Sequence, residues 1–323
     1  MHYFCTLFDS NYLAKGVAML RSLRLHCPEA RVYVLCMDDL AHSLLGKLAL
    51  PGVVCLTLTD VEDEALLAVK PERSMAEYCW TLSPCLPWYL FGRYPEIDRI
   101  TYLDADLYFF SDVAPLFEEM GDASITIIEH RFVPELQHLE VRGRFCVEWV
   151  SFRRDEEGMA CLRHWREQCI EWCFYRLEED RMGDQKYLDK WPERYDSLCI
   201  LQHPGAGVAP WNYARYAYGK DDRGGLTVDG LPLIFYHFHQ LQLLSNGSFD
   251  RLSDYYTRTG PVPVAIYEIY ERDIASVMAE IRDIDPGFTA GVRPYFRIKS
   301  QRLVQRLAPE GLKHWLKKLI PAV

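Results

Sequence analysis

The chain lacks any run of about 18 uninterrupted apolar residues, so nothing in it reads as a membrane-spanning helix. Met1 leads straight into HYFCTLF with neither a basic stretch nor a long apolar leader, and a chain without a secretory signal is expected. Internal repeats and low-complexity tracts are absent. Disorder and fibre are also excluded by an ordinary globular composition, 49% apolar, 25% charged and 13% aromatic over 323 residues. That length suits one large α/β domain with an appendage, or two domains.

An even cysteine framework is missing as well. The eleven cysteines (5, 27, 36, 55, 79, 85, 146, 161, 169, 173, 199) are odd in number and mostly sit in apolar runs. They read as the reduced, buried thiols of a cytoplasmic protein. Cys169 and Cys173 have helical i,i+4 spacing, which can hold a metal, but Trp165 and Trp172 share that surface and core packing is the expected role.

Positive charge is scarce except at one end. Of the net −10, the segment from Arg293 onward carries eight Lys/Arg against Glu310 alone, and the remainder carries 28 basic against 45 acidic residues. That segregation marks the tail as a separate feature.

The first half of the chain alternates. YFCTLF, RVYVLCM, VVCLTL, RITYL and SITIIE read as strands, and Tyr12–His26, Ala41–Leu50 and Ser74–Tyr94 as helices, the last interrupted by Pro84 and Pro87. This order predicts a mostly parallel sheet covered on both faces. Farther on, Asp155–Phe174 reads as a helix and LPLIFYHFHQL as an apolar strand, and the pattern breaks at Gly260-Pro261-Val262-Pro263.

At ITYLDADLYFF an apolar strand ends in two carboxylates, Asp104 and Asp106. Ligands of such sheets bind beyond the carboxyl ends of strands, so the pair is expected to face a crevice. Carboxylates at i and i+2 can share one hard divalent cation and leave positions open for phosphate or water. A solvated turn is the plainer alternative. A haloacid-dehalogenase phosphatase also uses Asp-x-Asp, but on its first strand and followed by Thr, where this chain has Tyr108 on about its fourth. His237 and His239, near the end of a later apolar strand, could supply a third ligand.

TLFDSNYLAKGVAMLRSL, YLDADLYFF, GDQKYLD and the late His-Phe together resemble glycosyltransferase family 8, which contains glycogenin and bacterial lipopolysaccharide galactosyl- and glucosyltransferases. The likeness runs in matching order over roughly residues 2–245. It is strongest to a subgroup of uncharacterised bacterial enzymes with YLDADLYFF, GDQKYLDxWPERY, APWN and FYHFH strings. The resemblance implies a GT-A fold, a nucleotide-sugar donor, usually UDP-linked, a Mn²⁺ or Mg²⁺ ion, and transfer with retention of configuration.

By position, Asp104 and Asp106 match the family's metal-binding pair, and His237, followed by Phe238, matches its metal-binding histidine. Tyr12 matches the aromatic that stacks on the base, Thr6 and Leu7 the strand end that meets it, and Asp184 and Gln185 the pair beside the donor sugar. Retention is compatible with a covalent intermediate on a carboxylate, for which Asp184 is the candidate, or with attack beside the departing phosphate. Asp184 could also be a helix N-cap.

Two departures stand out. The family's Gly and Lys-Pro-Trp after the histidine are replaced by HQLQLLSNG, leaving Lys15, Arg73, Arg142 and Arg144 as candidate phosphate cations. Cys146 and Glu148 stand where relatives have Asn-x-Gly, so the sugar cannot be inferred. Trp211 and Asn212 are expected to shape the acceptor side or to pack.

In the tail, Leu312, Trp315, Leu316 and Leu319 form one helical face with Lys313, Lys317 and Lys318 off it, a pattern suited to an anionic membrane surface or to docking on the domain. A nucleic-acid partner is disfavoured, because the acidic remainder would repel phosphate.

The sequence therefore predicts an α/β GT-A domain over 1–248 and a helical extension with a basic tail over 249–323. The expected activity is metal-dependent transfer from a nucleotide-sugar to a glycan or lipid-linked acceptor, in the cytoplasm against the inner face of the membrane. The alternatives are a catalytically idle nucleotide-sugar binder and, disfavoured by DSNYLAKG where a glycine-rich loop should be, a sugar-nucleotide pyrophosphorylase.

Overall fold

A computed structural model of the chain describes residues 1–251 and 262–299. Strands β1 (His2–Phe8), β2 (Ala30–Cys36), β3 (Val53–Thr57), β4 (Arg99–Leu103), β6 (Ile125–Glu129), β7 (Phe145–Arg153) and β8 (Leu198–Leu201) form one sheet in the order β3-β2-β1-β4-β7-β6-β8. The first four are mutually parallel, β7 runs antiparallel to both of its neighbours, and β8 is parallel to β6. A short strand β5 (Leu107–Phe109) leaves the sheet directly after the paired aspartates.

Helices α1 (Leu13–His26), α2 (Asp39–Leu48), α3 (Leu58–Val61), α4 (Glu64–Val69), α5 (Met75–Arg93), α6 (Ala114–Met120), α7 (Glu156–Glu171), α8 (Trp191–Arg194) and α9 (Val264–Ile284) surround it. Alternate side chains of a strand enter different cores. Phe4, Phe8, Val32 and Val34 pack with α1, α2 and α9, whereas Cys5, Leu7, Tyr33 and Leu35 pack with α5 and α7. Burial on both faces is why these strands read as continuous apolar runs. All eleven cysteines are free thiols, and Cys169 and Cys173 are buried in the second core.

Helix α5 runs unbroken through Pro84 and Pro87, where the sequence suggested interruption. Each proline removes a backbone donor and costs about 3 kcal/mol in a helix interior. Burial of Leu82, Cys85, Leu86, Leu90 and Phe91, together with the Ser74–Glu77 capping box, offsets that cost. No helix among the described residues is long and apolar enough to cross a membrane.

Helix α9 belongs to the first core through Ile266, Tyr267, Tyr270, Ile274, Val277 and Ile281. It is tied to α1 by Arg21, whose guanidinium donates to both Glu280 oxygens at 2.7 and 2.6 Å, and to β5 by the Tyr108 hydroxyl, which donates to Asp273. The tail's amphipathic segment at 312–319 lies outside the described residues.

Candidate active site

In the strand order, β1 has β2 on one side and β4 on the other, so the chain reverses direction of growth there and leaves a crevice at the carboxyl ends of β1 and β4. Thr6 and Leu7 end β1. The next turn is held by Asp9, whose backbone and carboxylate oxygens both accept from the Tyr12 N–H at 3.1 Å. Ser10 N–H in turn donates to Asp38 Oδ2 at 2.8 Å, tying this turn to the Asp38 cap of α2. Gly16 lets α1 lie close on β1, since a Cβ there would meet the Phe8 ring at 2.5 Å.

Tyr12 is 41% exposed, with Lys15 Nζ 4.4 Å from its ring centroid. The Thr6 hydroxyl is buried and has no hydrogen-bond partner among the described residues.

Two backbone pairings assemble the charged groups. The β4–β7 ladder pairs Leu103 with Trp149 and continues as Asp104 N–H donating to Glu148 O at 3.3 Å. β5 pairs antiparallel with the strand Phe235–His237, setting His237 opposite Leu107, and Phe238 N–H donates to Asp106 O at 2.9 Å. Residues 130 positions apart thus meet. His237 Nε2 lies 3.0 Å from Asp106 Oδ1 and 3.8 Å from Asp104 Oδ2, and its Nδ1 donates to Glu148 Oε2 at 2.6 Å. Glu148 is completely buried, and its other oxygen has no hydrogen-bond partner among the described residues. Gly207, at φ +67°, makes room for that oxygen, because a Cβ there would lie 2.6 Å from it.

The expected strand LPLIFYHFHQL is therefore broken, with only Phe235–His237 paired to β5. His239 still lies beside His237, ring centroids 5.6 Å apart. Donor atoms of Asp106, His237 and His239, and separately those of Asp104, Cys146 and His237, lie within 4.8 Å of one another.

Burial raises Asp104 to about 7, and Asp106, Asp184 and Glu148 add to the rise while His237 opposes it. Burial works to raise Asp106 too, but His237 and Lys15, whose Nζ is 4.0 Å away, hold it below the usual carboxylate range. Burial opposes charge on His237, yet Asp106, Cys146 and Glu148 lift it well above its ordinary value.

Asp184 is also raised to about 7 by burial, which hydrogen bonds from Ser83 and nearby backbone groups offset in part. It stands at the start of the turn Gln185–Lys190 but makes no side-chain cap there. Its own carbonyl accepts from Trp165 Nε1–H at 2.9 Å. Gln185 Nε2–H donates to Arg142 O at 3.2 Å, so its amide is held by the segment before β7.

The four candidate phosphate cations separate. Lys15 is beside Asp106, Arg73 is stacked 3.8 Å from the Phe174 ring centroid with an N–H donated to Ile170 O, and Arg144 pairs with Glu129. Arg142 meets the site region through its carbonyl, which accepts from Gln185. Asn212 is structural, donating to the carbonyls of His130 and Gly207, both at 2.8 Å. From His237 a run of ring contacts passes through Trp211 (5.1 Å) and His130 (5.0 Å) to Phe132 (4.7 Å). Phe132 lines a polar cleft of about 330 Å³ together with Arg131, Arg144 and Arg215.

The residues fit a divalent cation. Hard carboxylate oxygens converge on an imidazole nitrogen whose opposite nitrogen is fixed by a buried carboxylate, and four acids outnumber the nearby Lys15 and His237. Sequence reasoning noted Glu148 only as a departure; a carboxylate amid FCVEWVSF, where every neighbouring position is apolar or small, was the available signal for a partner.

The sheet and its crevice define a GT-A fold. A galactosyltransferase, LgtC, solved in complex with donor and acceptor sugar analogues, shares it at a TM-score of 0.50 and 15% identity, over 85% of this chain and 95% of that one. At that identity the likeness is one of fold. No family model matches the chain. It is 32% identical over 294 residues to the uncharacterized protein YfnF of Bacillus subtilis (strain 168), covering 88% of this chain and 95% of that protein. It is 31% identical over 306 residues to YfnD of the same organism, covering 94% and 98%. The chain belongs to the family of these two proteins.

Proposed function

We propose that the protein is a metal-dependent glycosyltransferase of the family 8 kind, moving a sugar from a nucleotide diphosphate donor, UDP-linked, to a glycan or lipid-linked acceptor with retention. The observation that carries this reading is the convergence of Asp104, Asp106 and His237 at the mouth of the β1/β4 crevice, with Glu148 orienting the imidazole. Asp104, Asp106 and Nε2 of His237 would hold Mn²⁺ or Mg²⁺, with Cys146 and His239 in reach. Such an ion would supply positive charge to offset that developing on a diphosphate leaving group.

The chain's own groups do the rest. The exposed Tyr12 ring stacks on the base, and the end of β1 at Thr6 and Leu7 meets its edge. Lys15 adds a positive charge next to Asp106. Asp184 and Gln185 lie along the donor sugar, where the carboxylate of Asp184 stabilises positive charge at the anomeric carbon as its bond to the diphosphate lengthens. The aromatic run from His237 to Phe132, and the polar cleft it reaches, face the acceptor. A basic tail on an otherwise acidic chain suits an acceptor presented at an anionic membrane surface.

Release of UDP from a panel of UDP-sugars, with an extract of cell-surface glycan as acceptor, tests this. Turnover by the wild type that is lost in Asp106→Asn supports an enzyme. Tight UDP-sugar binding without transfer or hydrolysis would instead mark a nucleotide-sugar binder.

A further inference from the structure

The carboxylates of the crevice pose a problem for a diphosphate. Asp104, Asp106, Glu148 and Asp184 gather four acids there, and any charge they carry is screened little in a partly buried site. Lys15 is one cation beside them, already 4.0 Å from Asp106. The described residues place a second cation at the same seam, and it comes from the far end of the chain.

After α9 the chain turns back across the crevice mouth. Gly291, at φ +76°, presses on the turn ahead of Tyr12: its N–H donates to Asn11 Oδ1 at 3.3 Å, and any Cβ there would collide with the Asn11 carbonyl. Val292 and Arg293 then pair in parallel with Leu243 and Leu244, and Ser245 N–H donates to Arg293 O at 2.8 Å. This short strand therefore joins the turn before Tyr12 to the segment that follows His239. Arg293 sits half-buried at that junction, and no carboxylate among the described residues lies within 4 Å of its guanidinium. Gly291, two residues before Arg293, thus bonds to the Asn11 turn that leads into α1, the helix that carries Lys15.

We propose that Lys15 and Arg293 together form the anion subsite for the donor's diphosphate, Arg293 being delivered by the C-terminal extension. A guanidinium presents a planar fork that matches two phosphate oxygens, while the ammonium of Lys15 acts as a point charge. The proposal rests on the nucleotide-donor reading above, and it gives segment 285–293 a function besides packing.

The test uses the full chain, with UDP binding followed by calorimetry in Mn²⁺ and uridine binding by ligand-observed NMR. Arg293→Ala is expected to weaken UDP about tenfold, ~1.4 kcal/mol, and to leave uridine binding unchanged. Arg293→Lys, which keeps the charge and loses the fork, should recover part of the loss. Equal weakening of UDP and uridine would show that residue 293 merely shapes the turn before Tyr12, and would overturn the assignment. So would UDP binding equal to wild type, with the nucleotide reading left standing. Failure of the wild type itself to bind UDP, GDP or CDP with Mn²⁺ would remove that reading and this inference with it.

Discussion

Two polar patches lie on the same pair of strands, three residues apart along β4. At the lower one, Thr101 Oγ1–H donates to Ser151 Oγ at 3.0 Å and Ser151 donates on to the Ile100 carbonyl at 3.3 Å. Both residues are buried, neutral and closed on each other. At the upper one, Asp104 and Glu148 occupy neighbouring ladder positions, share His237, and leave a fully buried Glu148 oxygen without a partner. Structural polar groups in a sheet interior are satisfied locally. The upper patch is the one proposed above to be completed by a ligand. Thr126 Oγ1 and Trp149 Nε1 nearby also lack partners among the described residues, so what sets the upper patch apart is the set of acids gathered on His237.

Four measurements would sharpen or break that contrast. The largest effect is expected at Asp106→Asn, which should lower sugar transfer about a thousandfold, the scale of losing one well-placed electrostatic group. A transfer assay against the wild type checks it, with thermal unfolding showing that the fold is retained. Next, Glu148→Gln should weaken Mn²⁺ binding about 10- to 100-fold by releasing the orientation of His237. It should also destabilise the metal-free protein, because it takes away the buried carboxylate that pairs with His237. Calorimetric Mn²⁺ titration and unfolding of the same sample read both.

The third effect is on pH dependence. With Asp184 raised from 3.8 to about 7, the folded protein holds a proton that the unfolded chain has released over that interval. Stability of the metal-free protein should therefore fall as pH rises from about 4 to 7, and Asp184→Asn should flatten part of the slope. Chemical denaturation across that range shows it. The smallest is Thr101→Val, expected to cost about 1 kcal/mol of stability and to leave Mn²⁺ affinity at the wild-type value. A change in metal binding there would blur the two patches into one network.

Much of the first half of the molecule was legible in the sequence, because strands buried on both faces must be apolar throughout and their helices periodic. The Asp104–Asp106 pair stood out for the complementary reason: two charges at the end of such a strand suggest either a solvated turn or a ligand, and the structure gathers them on His237. What joins them to His237 was not. The β5 pairing with Phe235–His237 spans more than a hundred residues, and no local pattern encodes a register at that separation. Strand position offered His237 and His239 and family resemblance chose His237; nothing supplied its partner Glu148, because that residue differs from the resembled motif.

Pro84 and Pro87 misled in the opposite direction. Local propensity argued for a break, and burial of α5 against the sheet overrode it. Arg293 was grouped by composition with the basic tail, whereas its backbone is paired beside the crevice. Charge counts along a chain say nothing of where a later strand returns.

The central claim is that the upper patch holds a divalent ion against a nucleotide diphosphate. The most direct measurement is thermal unfolding of wild type and Asp106→Asn with UDP, GDP or CDP, each with and without Mn²⁺. A ligand at about 100 times its dissociation constant adds about 2.7 kcal/mol. A rise with UDP that requires both Mn²⁺ and the intact aspartate is the expected result. A well-folded wild type that shifts with no nucleotide, or that shifts equally in the variant, would contradict it.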